Sequence, residues 1–205
     1  MSTADSAIWS PPAGTRGLIF DCDGTLADTM PVHFLAWTAM LGEHGIAFPE
    51  ATFYAMGGMP SERIIRQLAH EQQVVVGDVT AMVDDKESRF LDTIERVQPI
   101  LPVVSIAAAH RGVLPMAVAS GGEQRIVRRT LGIIGVDDWW DAIVGAEDTE
   151  RHKPEPDVFL EAARRIGVEA AECVVFEDTE MGLEAGRRAG MHTVDVRPWY
   201  LPRAR

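Results

Sequence analysis

Two aspartates one residue apart, Asp21 and Asp23, followed by Gly24 and Thr25, close the short apolar run Gly17-Leu18-Ile19-Phe20. If the extended backbone persists through them, side chains at i and i+2 point the same way and the two carboxylates share one side. Two negative charges that close are unfavourable unless a cation sits between them or one is protonated. The pair therefore suits a divalent metal or acid–base chemistry, and it equally suits a strand that ends in a plain Asp-Gly turn. Two further candidates stand in the same kind of place. Ser120-Gly121-Gly122 follows the apolar run Met116-Ala117-Val118-Ala119, where a strand turns into a helix. A hydroxyl and backbone N–H groups there make an anion site that glycine lets a phosphate approach; the competing reading of Ser120 is a simple helix cap. Glu177-Asp178 closes the run Cys173-Val174-Val175-Phe176. These oxygen ligands suit Mg²⁺, or else place charge favourably at a helix N-terminus. Lys153, in a turn between His152 and Pro154, reads by itself as a solvated lysine.

The elements that position these groups follow from the periodicity. The run at residues 17–20 shows no in/out alternation, as expected of a central parallel strand buried on both faces. In open α/β sheets ligands bind beyond the carboxyl ends of strands, which is where Asp21 and Asp23 fall. From Met30 to about Arg96 the pattern is helical only, with predicted helices at 30–44, 49–54, 61–70 and about 78–96. In the last of these, Met82, Phe90, Leu91 and Ile94 are expected to face inward. Beyond Pro99 helices and strands alternate: helix 103–112, strand 114–119, helix 123–131, strand 142–144, helix 155–166, strand 174–177, helix 181–189 and strand 192–196. The expected architecture is α/β, a parallel sheet with helices on both faces. Its core spans 1–29 and 97–205, with a small all-helical cap, 30–96, inserted after the first strand. Gly182, Gly186 and Gly190, four apart, read as close helix–sheet packing, and Trp139 and Trp140 as packing residues. Residues 1–16 read as a flexible lead-in, with Ile8 and Trp9 touching the body; the tail Arg197-Pro198-Trp199-Tyr200-Leu201-Pro202 carries no signal.

Asp21-x-Asp23-Gly24-Thr25, Ser120, Lys153-Pro154-Glu155-Pro156 and Glu177-Asp178, in this order and at strand ends, resemble the four motifs of the haloacid dehalogenase superfamily. The similarity covers most of the chain and is greatest to the β-phosphoglucomutase-like subgroup with its fructose-1-phosphatase-like phosphatases. The resemblance implies a Rossmann-like core and a Mg²⁺-dependent phosphatase that passes through an aspartyl-phosphate. It implies that Asp21 is the nucleophile, Asp23 the general acid and then base, and Lys153 the stabiliser of the transferring phosphoryl group. Mg²⁺ would be held by Asp21, the backbone carbonyl of Asp23, Asp178 and Glu177, the last directly or through water. Gly24, Thr25, Ser120 and Gly121 would bind the phosphoryl group. Specificity would come from the cap closing over it, with His33, Arg63 and Lys86 as candidates. A β-phosphoglucomutase shares every core residue. In that pattern the cap loop brings a lysine and an arginine near Gly57 and Ser61, and Met56-Gly57-Gly58-Met59-Pro60-Ser61-Glu62-Arg63 has neither there. A dehalogenase needs neither Asp23 nor Glu177-Asp178, and a non-catalytic binding protein would tolerate the loss of a motif residue.

Composition sets bounds on the rest. With 205 residues, 46% of them hydrophobic and 24% charged, the chain suits one domain or a core with a modest insertion. The two cysteines, Cys22 and Cys173, cannot form a disulfide framework and read as small buried residues. A net charge of −12 argues against a nucleic-acid or anionic-membrane partner. It also opposes steering of an anionic substrate, so local cations must overcome the global field. No stretch of about eighteen apolar residues predicts a membrane span, and the N-terminus, with Asp5, lacks the basic and apolar regions of a secretory signal. The expectation is a cytoplasmic protein acting on a small phosphorylated metabolite, as a monomer or weak homo-oligomer.

Overall fold

The computed structural model describes residues 9–57 and 59–199; Asp5, Ile8, Gly58, Tyr200, Leu201 and Pro202 lie outside the described residues. Two compact units divide them: the chain up to Ala27 together with that from Pro99, and Asp28–Gln98. The joints fall two residues outside each end of the 30–96 span expected from the sequence.

The first unit is an α/β sandwich. Its strands are β1 (Gly17–Phe20), β2 (Met116–Ala119), β3 (Ala142–Val144), β4 (Cys173–Glu177) and β5 (His192–Asp195), all parallel and in the order β3-β2-β1-β4-β5. Successive residues of the central strands enter opposite faces. Leu18, Phe20, Met116, Val118, Val174 and Phe176 join one core with Val103, Ile106, Val127 and Leu131, while Ile19, Ala117, Ala119 and Val175 join the other with Val158, Phe159, Ala162 and Ala185. Both faces are buried, which explains the uniformly apolar runs. Trp9, Trp139, Trp140 and Trp199 pack against the first core. Cys22 and Cys173 are free and buried. The second unit is helical: α1 (Met30–Glu43), α2 (Glu50–Ala55), α3 (Ser61–Glu71) and α4 (Val79–Thr93) close around Trp37, Met40, Leu41, Phe48, Phe53, Ile65 and Leu68.

The remaining helices belong to the α/β unit: α5 (Leu101–His110), α6 (Gln124–Ile133), α7 (Asp157–Ile166) and α8 (Glu180–Arg188). One proline displaces an expected end: the strand expected from Leu114 starts at Met116, after Pro115, which has no N–H for the ladder. The helix expected from Glu155 starts at Asp157, with Pro156 as its cap residue. In α4 the inward face is Met82, Lys86 and Phe90, four apart, and Leu91 is only partly buried. Among the described residues no helix is long and apolar enough to cross a membrane.

Candidate active site

Strand order decides where the site forms. β2 and β3 extend to one side of β1, β4 and β5 to the other, so chain connections diverge at β1 and leave a crevice beyond its carboxyl end. Register brings the functional groups to one level there. Phe20 lies opposite Val118 and Phe176, and the Asp21 amide still donates to the Phe176 carbonyl at 3.0 Å. Asp21, the Ala119–Ser120 link and Glu177-Asp178 therefore leave the sheet side by side.

Lys153 joins these three strand ends. Its ammonium donates to Asp21 Oδ1 at 2.7 Å, to Glu177 Oε1 at 2.8 Å and to the Ala119 carbonyl at 3.3 Å, and lies 4.8 Å from the centre of the Phe159 ring. Asp21, Lys153 and Glu177 are all buried, so this is not the solvated lysine that its sequence context alone suggests. Burial works against the charge on Lys153, but Asp21 and Glu177 together hold its pKa above the ordinary range. Asp21 responds the other way. Burial, opposed by Lys153 but reinforced by Glu177 and Asp23, pushes its carboxyl up to about 7. Burial, with Glu177 and Asp21 adding, also raises Asp178 well above the carboxylate range.

Asp21, Glu177 and Asp178 each offer an oxygen, all within 4.8 Å of one another. One lysine against three carboxylates leaves the cluster short of positive charge. Hard oxygen donors with excess negative charge fit a divalent cation such as Mg²⁺.

Glycines shape the edges. Gly24 has φ +83°, and a Cβ there would overlap the Asp178 carboxylate, so both backbone and space demand glycine. Thr25, fully buried, donates from Oγ1 to Asp178 Oδ1 at 3.2 Å. Ser120 Oγ accepts from the Gly122 amide at 3.0 Å, and a Cβ at 122 would come 3.6 Å from Asp23 Oδ2, which sets Asp23 on the Ser120 side of the crevice. Gly121 is exposed, with nothing within 4 Å of its would-be Cβ, so an approaching group meets bare backbone. Asp21, Asp23, Gly24, Thr25, Ser120, Gly121, Lys153, Glu177 and Asp178 thus belong to one region of the α/β unit.

The three cap candidates belong to the helical unit. His33 stacks on Phe90 with ring centres 3.9 Å apart. Lys86 is buried, paired with Glu87 at 2.7 Å and 5.4 Å from the Trp37 ring centre. Arg63 is exposed.

Sequence reasoning missed Thr179. It, not Glu177 or Asp178, caps α8, its Oγ1 accepting from the Gly182 amide at 3.0 Å. The Thr179 amide and hydroxyl both donate to Glu177 Oε2, at 2.6 and 2.9 Å. The signal was available: a threonine directly before a helical stretch is a cap candidate. The three spaced glycines also separate. Gly186 packs on Val175 and Thr193 as expected, Gly190 turns the chain at φ +75°, and Gly182 faces the Glu177 carboxylate.

A family model described as haloacid dehalogenase-like hydrolase matches residues 18–196. The fructose-1-phosphate phosphatase YqaB of Escherichia coli (strain K12) is 40% identical over 185 residues, covering 88% of this chain and 96% of that protein. The beta-phosphoglucomutase of Bacillus subtilis (strain 168) is 26% identical over 187 residues, covering 88% and 83%. Among solved structures, the beta-phosphoglucomutase from Clostridium difficile superposes with a TM-score of 0.79 at 20% identity, over 88% of this chain and 84% of that one, a likeness of fold.

Proposed function

The chain belongs to the haloacid dehalogenase-like hydrolases, and from that premise we propose that it is a Mg²⁺-dependent phosphatase of a small sugar phosphate, fructose 1-phosphate foremost. The observation that carries this reading is the convergence of Asp21, Lys153, Glu177 and Asp178 at the end of β1. The choice of sugar rests on the 40% identity to a fructose-1-phosphate phosphatase.

Phosphate-ester hydrolysis requires an anionic nucleophile to approach an anionic phosphorus, so the protein's task is positioning and charge neutralisation. Asp21 attacks phosphorus with one carboxylate oxygen, and the bond from phosphorus to the sugar oxygen breaks. Asp23 delivers its proton to that leaving oxygen. Water then attacks the phosphorus of the aspartyl-phosphate, Asp23 takes up its proton, and the bond to Asp21 breaks to release phosphate. Lys153 opposes the burial that disfavours the Asp21 anion, and it offsets charge on the phosphoryl oxygens. Ser120 and the amides around Gly121, with Thr25 and Gly24, would hold those oxygens. Asp21, Asp178 and the Asp23 carbonyl would hold Mg²⁺, with Glu177 direct or through water; when bound it neutralises phosphoryl charge. We assign the reading of the sugar to the helical unit, with His33, Arg63 and Lys86 as contacts. The enzyme would work in the cytoplasm, as a monomer or weak homo-oligomer without a nucleic-acid or membrane partner.

A mutase is the second reading, favoured by the phosphoglucomutase relatives. It must return the phosphoryl group to a sugar already carrying another phosphate, which needs its own cationic site. The loop Met56–Arg63 offers only Arg63 and adds Glu62, which pairs with Arg66 at 3.6 Å. The test is a panel of phosphorylated metabolites with Mg²⁺ or chelator, including β-glucose 1-phosphate with a trace of the 1,6-bisphosphate. Phosphate release from fructose 1-phosphate, lost on chelation, supports hydrolysis. Glucose 6-phosphate forming much faster than free phosphate would overturn it.

A further inference from the structure

We propose that Gly182 is a positioning residue for catalysis, its missing side chain being the space in which the Glu177 carboxylate stands to hold Lys153. Glu177 is 1% exposed and both its oxygens are engaged. Oε1 accepts from Lys153 at 2.8 Å; Oε2 accepts from the amide and hydroxyl of Thr179 at 2.6 and 2.9 Å. The Thr179 hydroxyl in turn accepts from the Gly182 amide, so the first turn of α8 wraps the carboxylate. A Cβ on residue 182 would overlap Glu177 Oε1 and Cδ and come 2.6 Å from Oε2.

Backbone conformation does not demand glycine here, because Gly182 is helical, without the positive φ found at Gly190. In a helix glycine is the poorer choice, and alanine would ordinarily stabilise. Gly186, one turn on, meets Thr193 and Val175, which is packing between helix and sheet. Gly182 instead meets a charged group buried against the lysine that touches Asp21. A methyl group at 182 would push the Glu177 carboxylate off its three donors. Lys153 would then lose its second anchor and shift relative to Asp21. Displacements on the ångström scale cost about 10²-fold in rate.

The inference rests on the phosphatase reading for its effect on rate, but the steric coupling is measurable without it. Four proteins form the test: the wild type, Gly182→Ala, Glu177→Ala and the double variant. Each is assayed for phosphate release from fructose 1-phosphate with Mg²⁺, and melted in chelator. Gly182→Ala should lower kcat by about 10²-fold, with KM changed by less than about threefold, and should lower Tm. In the Glu177→Ala background the same substitution should leave kcat within about twofold and raise Tm by about 2–4 °C, as alanine's helix preference then acts alone. Equal losses in both backgrounds would make Gly182 a packing residue and overturn the proposal, as would a Gly182→Ala enzyme with wild-type kcat and Tm. If Gly182→Ala does not fold, recovery of the double variant supports the coupling and failure of both overturns it. A wild type that releases no phosphate would sink the phosphatase reading, while the melting cycle would still decide whether Gly182 makes room for Glu177.

Discussion

Asp21 carries opposite demands at one side chain: burial favours its neutral form, and nucleophilic attack needs the anion. Lys153, 2.7 Å away, opposes the burial. Replacing Asp21 with Asn removes the proposed nucleophile and should abolish turnover while the circular-dichroism spectrum stays that of the wild type. Asp23→Asn should cost ~10²–10⁴-fold, the range for a general acid–base residue; calorimetry should find Mg²⁺ binding largely retained, because the ligand proposed from Asp23 is its carbonyl. The raised carboxyls of Asp21 and Asp178 also set a pH dependence. An acid whose folded pKa lies above its unfolded value binds more protons when folded. Its stabilising contribution is therefore full below about pH 4 and is lost as pH rises through about 7. Surface carboxylates held low by arginine, such as Glu161 at about 2, stay ionised throughout the upper part of this window. Chelated protein should thus melt lower at pH 8 than at pH 5, and Mg²⁺ should raise Tm more at pH 8. A Tm that rises across this range without metal would contradict the assignment.

At the scale of elements, α8 does more than pack. Its cap residue, Thr179, ties the helix start to Glu177, so Thr179→Ala should cost at least the ~0.5–2 kcal/mol of a lost cap. Thr179→Ser should keep most of it, as read by urea unfolding. β1 and its carboxylates were legible in the sequence because a doubly buried parallel strand leaves an uninterrupted apolar run, and its acidic ending stands out against it. Lys153 was legible only through resemblance, since nothing local to His152-Lys153-Pro154 signals burial; its partners come from strands 132 and 24 residues away. Lys86 was recognised as polar but not as inward, although Met82, Lys86 and Phe90 keep the four-residue spacing of one helical face. The ion pair with Glu87 lets that lysine be buried, and pairing between neighbours leaves no pattern in a hydropathy trace. Gly182 was read with Gly186 and Gly190 as one motif because spacing alone cannot say what a glycine faces.

For the whole molecule, a net charge of −12 sets the field through which an anionic substrate must arrive. The local lysine and the proposed cation would reverse that field only at short range, so the surface would oppose diffusion inward. Raising ionic strength from about 20 to 150 mM shortens the Debye length to about 8 Å. It should therefore increase kcat/KM for a sugar phosphate with kcat little changed; a steep fall would point instead to cationic steering by the helical unit. Phosphoryl transfer is proposed to pass through Asp21, and chemical trapping reads that step. Enzyme turning over fructose 1-phosphate with Mg²⁺ is quenched, reduced with borohydride and peptide-mapped, which converts an aspartyl-phosphate to homoserine. Homoserine is expected at position 21, dependent on substrate. Homoserine at another aspartate, or sustained turnover in Asp21→Asn, would contradict it.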